Sequence, residues 1–575
     1  MSATLLLSDA VRLHQSGQLA AAAEAYAGIL ADAPLHPDAL HLLGVVRAQG
    51  GRVQEAVSLI AQAVAINPAS AVYRGNLVKA ARGDGAAVGS GLLRAGDALF
   101  DAGRPDLAAR CYRAAVAARP DDALAWGNLG AALRDADRSA EALVPMGRAA
   151  VLAPNDERIM AGLGGLYLAL RDGPAAEAVF RALLARDPGH APARVALADS
   201  VKTDGRFAEA AGLYRKALAV DPADAGGWFN LGVTLGDLGR HEDSVAPYHR
   251  AARLSPDRVD ARFNLAHALL ITGRYREGWP AFEARFERDV HIPDRGRPWW
   301  RGEPLQGRTI LLYGEQGHGD ALQFIRYAPM VARAGGRVVV ECLPALLRLF
   351  SRVEGVAEVH PLGAAPDFDL ICPLMSLPAL FGTTLDSVPA AVPYLDGTAA
   401  GEERFAGLWP TGDGALADGT LTVGLVWAGD PHVTDPRWSH ADMRRSIPLA
   451  GFAPLLDLPG LRLVSLQKGA AAAQAVEPPF AGRILDVMAE VADFADTAAL
   501  VRRLDLVISV DTSVAHLAGA LGVPLWVLSR FDGCWRWLDG REDSPWYPTA
   551  RVFRQERIGD WRPVLDRVAT ELALL

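Results

Sequence analysis

The sequence predicts an α-helical solenoid over residues 1–290, followed by two α/β lobes over residues 291–400 and 401–575. Two features predict this division. In the first half, prolines recur every 34 residues. In the second half, short apolar runs rich in β-branched residues alternate with stretches of helical composition. A chain of 575 residues is also too long for a single core.

The proline period defines the repeats of the first half. Repeat units open with a large aromatic residue, and a small residue such as Gly130 or Gly232 follows four places later, where two helices must approach closely. The closing proline ends the second helix because it cannot continue the helical hydrogen bonds. A fixed period of this length is typical of solenoids, and the pattern resembles the tetratricopeptide repeat. The period is carried by Pro34, Pro68, Pro120, Pro154, Pro188, Pro222 and Pro256.

One segment interrupts the period. The step from Pro68 to Pro120 is 52 residues, which is 18 more than one repeat. We expect residues 71–88 to form an additional helix and a glycine-rich turn, which offset the first two repeats from the other six. The segment is compatible with a spacer helix, a hinge or a dimer contact.

Asparagines recur at the sixth position of several repeats, on the helix that lines the concave face of such a solenoid. An asparagine amide both donates and accepts hydrogen bonds, so a ladder of them grips an extended peptide without reading its side chains. The alternative is that these residues cap or bridge neighbouring repeats. They are Asn76, Asn128, Asn230 and Asn264, of which the last three are the predicted acceptor-binding residues.

The apolar runs of the second half predict two Rossmann-like parallel sheets, since short buried strands separated by helices are typical of α/β folds. A glycine- and alanine-rich link near residues 397–420 separates the lobes. Open sheets of this type bind ligands at the carboxyl ends of their strands, so we expect a cleft between the two strand edges. The predicted strands are residues 309–313, 337–342, 369–372, 422–427, 461–466, 504–510 and 524–528.

The loop after the first predicted strand carries a candidate catalytic carboxylate. Glycines at 314, 317 and 319 allow close approach of the backbone, and Asp320 stands where the loop becomes a helix. A carboxylate at this position is either an N-terminal helix cap or a general base facing the cleft, and the spacing favours neither. We predict Asp320 as the catalytic residue and the adjacent Gly319 as a donor-binding residue.

The loop after residues 504–510 carries a candidate phosphate site. Asp511, Thr512 and Ser513 stand between a strand and a helix, where free N–H groups and the positive helix end favour an anion. His516 lies one turn later on the same face, suited to donate to a phosphate or sugar oxygen. The alternative is a histidine satisfied by its neighbours. All four are predicted donor-binding residues.

Three cations near predicted strand ends are candidates for binding the departing phosphate of a nucleotide donor. Lys468 follows a buried strand. Arg444 and Arg445 are adjacent, and the sequence does not choose between them. Exposure on the surface is the alternative for each.

Charge, cysteine content and hydropathy exclude or disfavour several classes of protein. A net charge of −9 and a pI near 5.8 argue against a general nucleic-acid binder. The four cysteines have no paired spacing, which favours neither a zinc site nor a disulfide framework. The N-terminus is a poor signal peptide, and no apolar run reaches the ~18 residues of a membrane span, so we expect a cytoplasmic location.

Three segments, GEQGHGDALQFIRY, DTSVAHLAGALGVPLWVL and CWRWLDGREDSPWYP, resemble the GT-B glycosyltransferases related to bacterial heptosyltransferases, glycosyltransferase family nine. The resemblance implies that Asp320 deprotonates the acceptor hydroxyl. It also implies that Asp511, Thr512, Ser513 and His516 bind the phosphates and sugar of the donor. We expect no metal or other cofactor. Two departures, Ser513 in place of a glycine and His318 inside the first loop, argue against a heptose donor.

Repeats joined to such a catalytic half are the plan of O-linked N-acetylglucosamine transferase, and the architecture more closely resembles bacterial flagellin glycosyltransferases with tetratricopeptide repeats. That resemblance implies transfer of a nonulosonic acid such as pseudaminic acid, from its CMP donor, to serine or threonine of flagellin. The alternatives are a transferase with a lipid or saccharide acceptor, a repeat scaffold with a degenerate transferase domain, and a nucleotide-sugar epimerase.

Overall fold

The computed structural model describes residues 3–82, 85–288, 290–396, 405, 420–430 and 443–575. The chain packs into two compact units, Met1–Ala223 and Asp224–Leu575. The boundary between them falls inside the repeat array, so the last two repeats belong to the same unit as the sheets. The glycine- and alanine-rich link predicted near residues 397–420 lies almost wholly outside the described residues.

The first unit is a helical solenoid, as the 34-residue period predicts. Most helices that are neighbours in the sequence pack against each other along the unit. The helices are α1 Ala3–Gln15, α2 Leu19–Asp32, α3 Pro37–Gln49, α4 Val53–Ile66, α5 Ala71–Ala80, α6 Gly85–Asp101, α7 Pro105–Ala118, α8 Ala123–Asp135, α9 Ser139–Leu152, α10 Glu157–Ala169, α11 Gly173–Arg186, α12 Ala191–Thr203 and α13 Phe207–Val220.

The glycine that recurs in the first helix of a repeat lies where the two helices of that repeat touch. A Cβ atom at Gly130 would lie 3.1 Å from Cβ and 3.3 Å from the backbone nitrogen of Met146, tighter than most side-chain contacts. The second helix of the same repeat ends at Leu152, two residues before Pro154. The glycine therefore permits the close helix contact, and the proline follows the helix end, as the sequence predicts.

The additional helix predicted between the second and third full repeats is present as α5, residues 71–80. The glycine-rich turn after it is shorter than expected, because Gly85 already begins α6. Residues 83–84 lie outside the described part of the chain. Gly91 in α6 serves packing, since a Cβ atom there would lie 2.8 Å from Cβ of Val57 in α4.

The second unit contains the last two repeats and two parallel sheets. Its helices are α14 Ala225–Asp237, α15 His241–Leu254, α16 Val259–Ile271, α17 Tyr275–Phe282, α18 Arg285–Arg288, α19 His318–Phe324, α20 Ala328–Arg333, α21 Leu347–Phe350, α22 Leu377–Leu380, α23 Phe494–Val501, α24 Ser513–Ala520 and α25 Arg562–Leu572. Its 3-10 helices are Ile325–Tyr327, Pro344–Leu346, Leu374–Ser376, Leu385–Ser387, Leu449–Asp457, Ala470–Val476, Met488–Glu490 and Trp535–Trp537. Its strands are β1 Thr309–Tyr313, β2 Arg337–Cys342, β3 Val356–Pro361, β4 Leu370–Pro373, β5 Leu421–Val426, β6 Leu461–Ser465, β7 Ile484–Asp486, β8 Leu506–Val510, β9 Leu525–Ser529 and β10 Ala550–Arg554.

The strands form two separate sheets. The first has the order β3-β2-β1-β4 and the second has the order β10-β9-β8-β5-β6-β7, with every strand paired in parallel. In such sheets the ligand crevice opens where the strand order reverses, at the carboxyl ends of the strands. These points lie between β1 and β4 in the first sheet and between β5 and β8 in the second.

The seven strands predicted from apolar runs are all present, and three further strands escaped prediction. β3 (VAEVHP) and β10 (ARVFR) occupy sheet edges and include polar side chains, so neither reads as a buried run. β7, also at an edge, has only three residues. Edge strands face solvent on one side, which weakens the apolar signal on which the prediction depends.

The last repeat shares its apolar core with the sheets. Side chains of α16 and α17 are buried in one continuous cluster with residues of β1 and α19. None of the helices in the described part of the chain combines the length and apolar character that a membrane span requires. The shared cluster includes Phe263, Tyr275, Trp279, Phe282, Leu312 and Phe324.

Candidate active site

Two helices that follow strand ends meet between the sheets. α19 comes shortly after β1 and α24 comes shortly after β8, so both begin near the points where the strand order reverses. Gly319 in α19 faces His516 in α24, and a Cβ atom at Gly319 would lie 3.0 Å from Cδ2 of the imidazole. His318 packs beside Phe494 of α23, with ring centroids 5.1 Å apart. The structure thus brings the two predicted loops together.

Asp320 lies in the first turn of α19, mostly buried. One carboxylate oxygen accepts a hydrogen bond of 3.2 Å from the backbone N–H of Gly317, which is a helix-capping contact. The other oxygen is ion-paired with the guanidinium of Arg536. Asp320 thus caps the helix from its third position, with Gly317 at the N-cap. Its role as a base stays a prediction.

Arg536 lies in the 3-10 turn Trp535–Trp537, between β9 and β10 of the second sheet. The sequence alone did not predict it as a site residue. Its guanidinium lies over the ring of Trp535 at 4.2 Å and donates to Sγ of Cys534 at 3.2 Å. Burial acts to lower the pKa of Arg536, but the nearby anions, Asp320 first among them, outweigh burial and raise it. Arg536 thus carries a permanent positive charge into the space between the sheets.

Asp511 follows β8 directly and has several partners. The indole Nε1 of Trp537 donates to its carboxylate at 2.8 Å, and Nη1 of Arg445 donates to its main-chain oxygen at 2.9 Å. Burial acts to raise the pKa of the carboxyl, but His516 and the guanidiniums of Arg445 and Arg536 outweigh burial and lower it. Asp511 is therefore held as an anion.

Thr512 and Ser513 begin α24. Thr512 precedes the first helical residue and its hydroxyl lies 3.0 Å from the hydroxyl of Ser509, at the end of β8. Ser513 is the first residue of the helix, as the strand-to-helix reading predicts. Their role in binding a phosphate stays a prediction.

His516 is buried among aromatic side chains. Its Nδ1 lies 2.9 Å from the hydroxyl of Tyr547, and its ring stacks on Trp537 with centroids 5.2 Å apart and planes 16° from parallel. Burial lowers the pKa of His516 to about 4, and the charge of Arg536 acts in the same direction. The imidazole is consequently neutral near pH 7, so it offers one hydrogen-bond donor and one acceptor.

The three predicted cations, Arg444, Arg445 and Lys468, have different partners in the structure. Arg445 reaches Asp511, as described above, whereas Arg444 pairs with Asp532 at 3.1 Å. Lys468 is exposed, and among the described residues its ammonium donates to the main-chain oxygen of Val491. Of the three, Arg445 has the contact closest to the predicted phosphate loop.

The sequence did not single out several residues that build this site. Gln467, buried beside Lys468, accepts from the backbone N–H groups of Trp427 and Ala428 at 3.1 and 2.9 Å, which joins the loops after β5 and β6. The other missed residues are Arg530, Asp532, Arg536, Trp537 and Tyr547. The dense aromatic and arginine content of the segment CWRWLDGREDSPWYP was the available signal, but it lies mostly outside helices and strands, where periodicity gives no orientation.

A buried ion pair supports the loop that carries Asp320. Glu315, two residues after the end of β1, accepts a hydrogen bond of 2.9 Å from Arg285 of α18, and both side chains are inaccessible to solvent. Nη2 of the same guanidinium also donates to the hydroxyl of Ser376 at 2.7 Å. Burial raises the pKa of Glu315 to about 7, although Arg285 opposes the shift. The segment after the last repeat therefore holds the start of the glycine loop.

The predicted asparagine ladder makes contacts between neighbouring helices. Nδ2 of Asn128 donates to Asp97 at 3.2 Å, and in the second unit Asn264 is hydrogen-bonded to the hydroxyl of Tyr248. Asn76 lies 2.9 Å from Nε2 of His41. These bonds match the alternative that the asparagines bridge repeats. Binding of an acceptor by Asn128, Asn230 and Asn264 stays a prediction.

The last repeat reaches the site itself. α16 packs against the turn Trp535–Trp537, and the main-chain oxygen of Ile271, the last residue of α16, accepts from the N–H of Asp539 at 3.0 Å. Burial lowers the pKa of His267 in α16 to about 3, and the guanidinium of Arg536 acts in the same direction. Within the described ranges no group of three His, Cys, Asp or Glu side chains is arranged to hold a metal ion.

Comparison with known proteins identifies the repeats. The tetratricopeptide-repeat family matches residues 10–71, 93–157, 161–226, 195–258 and 229–285, so tetratricopeptide repeats occupy most of the first 285 residues. Protein FlbA of Caulobacter vibrioides is 31% identical over 331 residues, which cover 52% of this chain and 52% of FlbA. The Hsp70-Hsp90 organizing protein of Triticum aestivum is 33% identical over 107 residues, 19% of this chain and 18% of that protein. The chain thus spans about half of FlbA and a fifth of the second relative.

Solved structures of repeat proteins resemble parts of the chain. MamA from Desulfovibrio magneticus RS-1 is 19% identical and covers 31% of this chain and 98% of its own, with a TM-score of 0.28. A tetratricopeptide-repeat protein from Parabacteroides merdae is 15% identical, with coverage of 46% and 97% and a TM-score of 0.28. Scores this low add nothing to the assignment of the repeats.

Proposed function

We propose that this chain is a protein O-glycosyltransferase of the GT-B type. It transfers a sugar from a nucleotide donor to a serine or threonine of a protein held by its tetratricopeptide repeats. The nonulosonic-acid donor, in its CMP-activated form, and flagellin as the acceptor come from the sequence resemblance alone. Both substrates bind at the facing strand edges in this reaction, which uses no metal or cofactor.

One observation carries the proposal. α16, which would line the acceptor groove, packs against the turn Trp535–Trp537, whose Arg536 is paired with Asp320. A polypeptide lying along the last repeat would therefore end beside the candidate base. A repeat array that only recruits a distant partner has no need of this contact with the catalytic cleft.

The residues divide the chemistry between them. Asp320 accepts the proton of the acceptor hydroxyl. At the same time the hydroxyl oxygen forms a bond to the anomeric carbon of the sugar, and the bond from that carbon to the donor phosphate breaks. The electron pair leaves with the phosphate. Arg445 and the N–H groups at the start of α24 stabilise the negative charge of the phosphate, and neutral His516 donates to a phosphate or sugar oxygen.

The test is co-expression with flagellin and candidate sugar pathways, followed by intact-mass spectrometry of the flagellin. The added mass identifies the sugar. We expect Asp320→Asn to abolish the mass increase, because an amide does not accept the proton. Asp566→Asn is the matched control, since Asp566 is exposed and pairs weakly with Arg562 at 3.8 Å. A normal mass increase with Asp320→Asn would remove Asp320 from the mechanism.

The acceptor half of the proposal has its own test. Asn230→Ala and Asn264→Ala are expected to slow modification at low flagellin concentration and to leave CMP affinity unchanged. Asn155→Ala, at an exposed turn of the first unit, is the control. Equal loss of acceptor use and nucleotide binding would contradict the division of labour between repeats and sheets.

A further inference from the structure

We propose that Arg536 is a donor-binding residue that exchanges partners: it pairs with Asp320 in the empty protein and moves to the donor phosphate when the nucleotide sugar binds. This inference rests on the proposed function. It deepens that function by making activation of the base depend on the donor.

The geometry around Asp320 shows why an exchange is needed. One of its oxygens accepts from Gly317 and the other is taken by Arg536. A general base must offer an oxygen to the proton that it removes. As long as Arg536 is paired with that oxygen, its guanidinium occupies one approach to the carboxylate and compensates the negative charge that attracts the proton. Departure of Arg536 leaves the capping contact intact and opens the second oxygen.

The surroundings of Arg536 favour movement toward a phosphate. Apart from Asp320, the contacts described above are the Cys534 sulfur and the face of Trp535. A thiol is a weak acceptor, and stacking on a ring permits the guanidinium to turn in its own plane. A guanidinium binds phosphate through two parallel hydrogen bonds, which gives a geometry that a single carboxylate oxygen does not provide.

The direction of movement follows from the neighbouring charges. Asp511, whose carboxylate accepts from Trp537, lies close enough to Arg536 that each charge affects the pKa of the other. Asp511 begins the predicted phosphate loop, so the turn Trp535–Trp537 contacts Asp320 through Arg536 and that loop through Trp537. The proposed exchange is therefore a movement of the Arg536 side chain within this turn.

The exchange orders the reaction. Without a donor, the charge of Asp320 is compensated by Arg536, whose guanidinium also occupies one approach to the carboxylate. With the donor bound, Arg536 stabilises the negative charge that develops on the leaving phosphate, and Asp320 takes the proton from the acceptor oxygen. The proton ends on Asp320, the acceptor oxygen gains the bond to the sugar, and the phosphate leaves with the electron pair.

The experiment measures CMP affinity by isothermal titration calorimetry in the full chain and its variants. Arg536→Gln is expected to weaken binding at least about tenfold, because a charged hydrogen-bonding partner of the phosphate is lost. Asp320→Asn is expected to strengthen binding several-fold, because Arg536 is no longer held away. Asp320→Asn is expected to have no effect in the Arg536→Gln background, since the two effects share one side chain. Arg541→Gln, which breaks the exposed pair with Asp543, is the control.

Two outcomes overturn the inference, and they are distinguishable from each other. Unchanged CMP affinity in Arg536→Gln, with normal thermal unfolding, would show that Arg536 only supports the loop. Weaker binding in Asp320→Asn would overturn the exchange as well. If wild-type protein bound none of CMP, UDP, GDP or ADP, the nucleotide-sugar function itself would fail together with the exchange.

Discussion

The hydroxyl of Tyr275 accepts a hydrogen bond of 2.8 Å from the indole Nε1 of Trp546. Tyr275 begins α17 of the last repeat, and Trp546 lies between β9 and β10 of the second sheet. Both side chains are fully buried, and their rings lie against each other with centroids 5.9 Å apart. The last repeat is thus part of the same packed unit as the candidate site.

Tyr275→Phe tests how strongly this bond stabilises the unit. The substitution leaves the indole N–H of Trp546 buried without its acceptor, so we expect the free energy of unfolding to fall by about 1–3 kcal/mol. Tyr26→Phe is the matched control, because the buried hydroxyl of Tyr26 has no hydrogen-bond partner among the described residues. Urea unfolding followed by far-ultraviolet circular dichroism measures both. Equal losses would show that the bond contributes little.

The boundary between the two compact units predicts which N-terminal truncations the protein tolerates. Residues 224–575 are expected to fold alone and to bind CMP, because they form one compact unit. A fragment of residues 291–575 is expected to aggregate. It lacks α16 and α17, so the apolar core against which Trp279 and Phe282 pack is exposed to solvent. Gel filtration of both fragments makes the comparison. A monodisperse 291–575 fragment would contradict the shared core.

Two neighbouring glycines, one before α19 and one within it, are expected to respond differently to substitution. A Cβ atom at Gly319 would lie 3.0 Å from the imidazole of His516, so the larger side chain of Gly319→Val pushes α19 away from α24. We expect CMP affinity to fall about tenfold or more. Gly317→Ala is the control, because its Cβ would lie 3.5 Å from Asp320, an ordinary contact. Equal CMP affinity in the two variants would show that the helix contact does not shape the site.

The pH dependence of stability is expected to reveal the buried His516. Because burial lowers its pKa to about 4 from 6.5, the unfolded chain binds a proton in this range that the folded chain does not. The stability that neutral His516 contributes is complete above about pH 6.5 and is lost as the pH falls toward 4, by about 3 kcal/mol. His516→Asn should show a correspondingly shallower fall in the free energy of unfolding.

The control for this pH measurement is His249→Asn, which removes an exposed histidine. Its pH profile should follow that of wild type. Chemical denaturation at a series of pH values between 4 and 7 supplies the comparison. Identical slopes for wild type and His516→Asn would contradict a neutral buried imidazole.

The sequence by itself determined the features that depend on local periodicity. The proline spacing identified the repeats, and the buried apolar runs identified seven strands, because each signal lies within one element and its flanking turns. It also located Asp320 and Asp511 after their strands. Parallel strands place such loops at the carboxyl edge of their own sheet, which is why the sequence predicts that both loops face a cleft.

Only the tertiary structure decided what these residues touch. Arg536 lies 216 positions from Asp320, in a turn without regular periodicity, so no local pattern predicts their pairing. The same holds for the bond between Tyr275 and Trp546, which joins a repeat to the second sheet. The physical reason is that helix and strand patterns report which faces are buried. The partner that buries each face is selected by packing between segments that are distant in the chain.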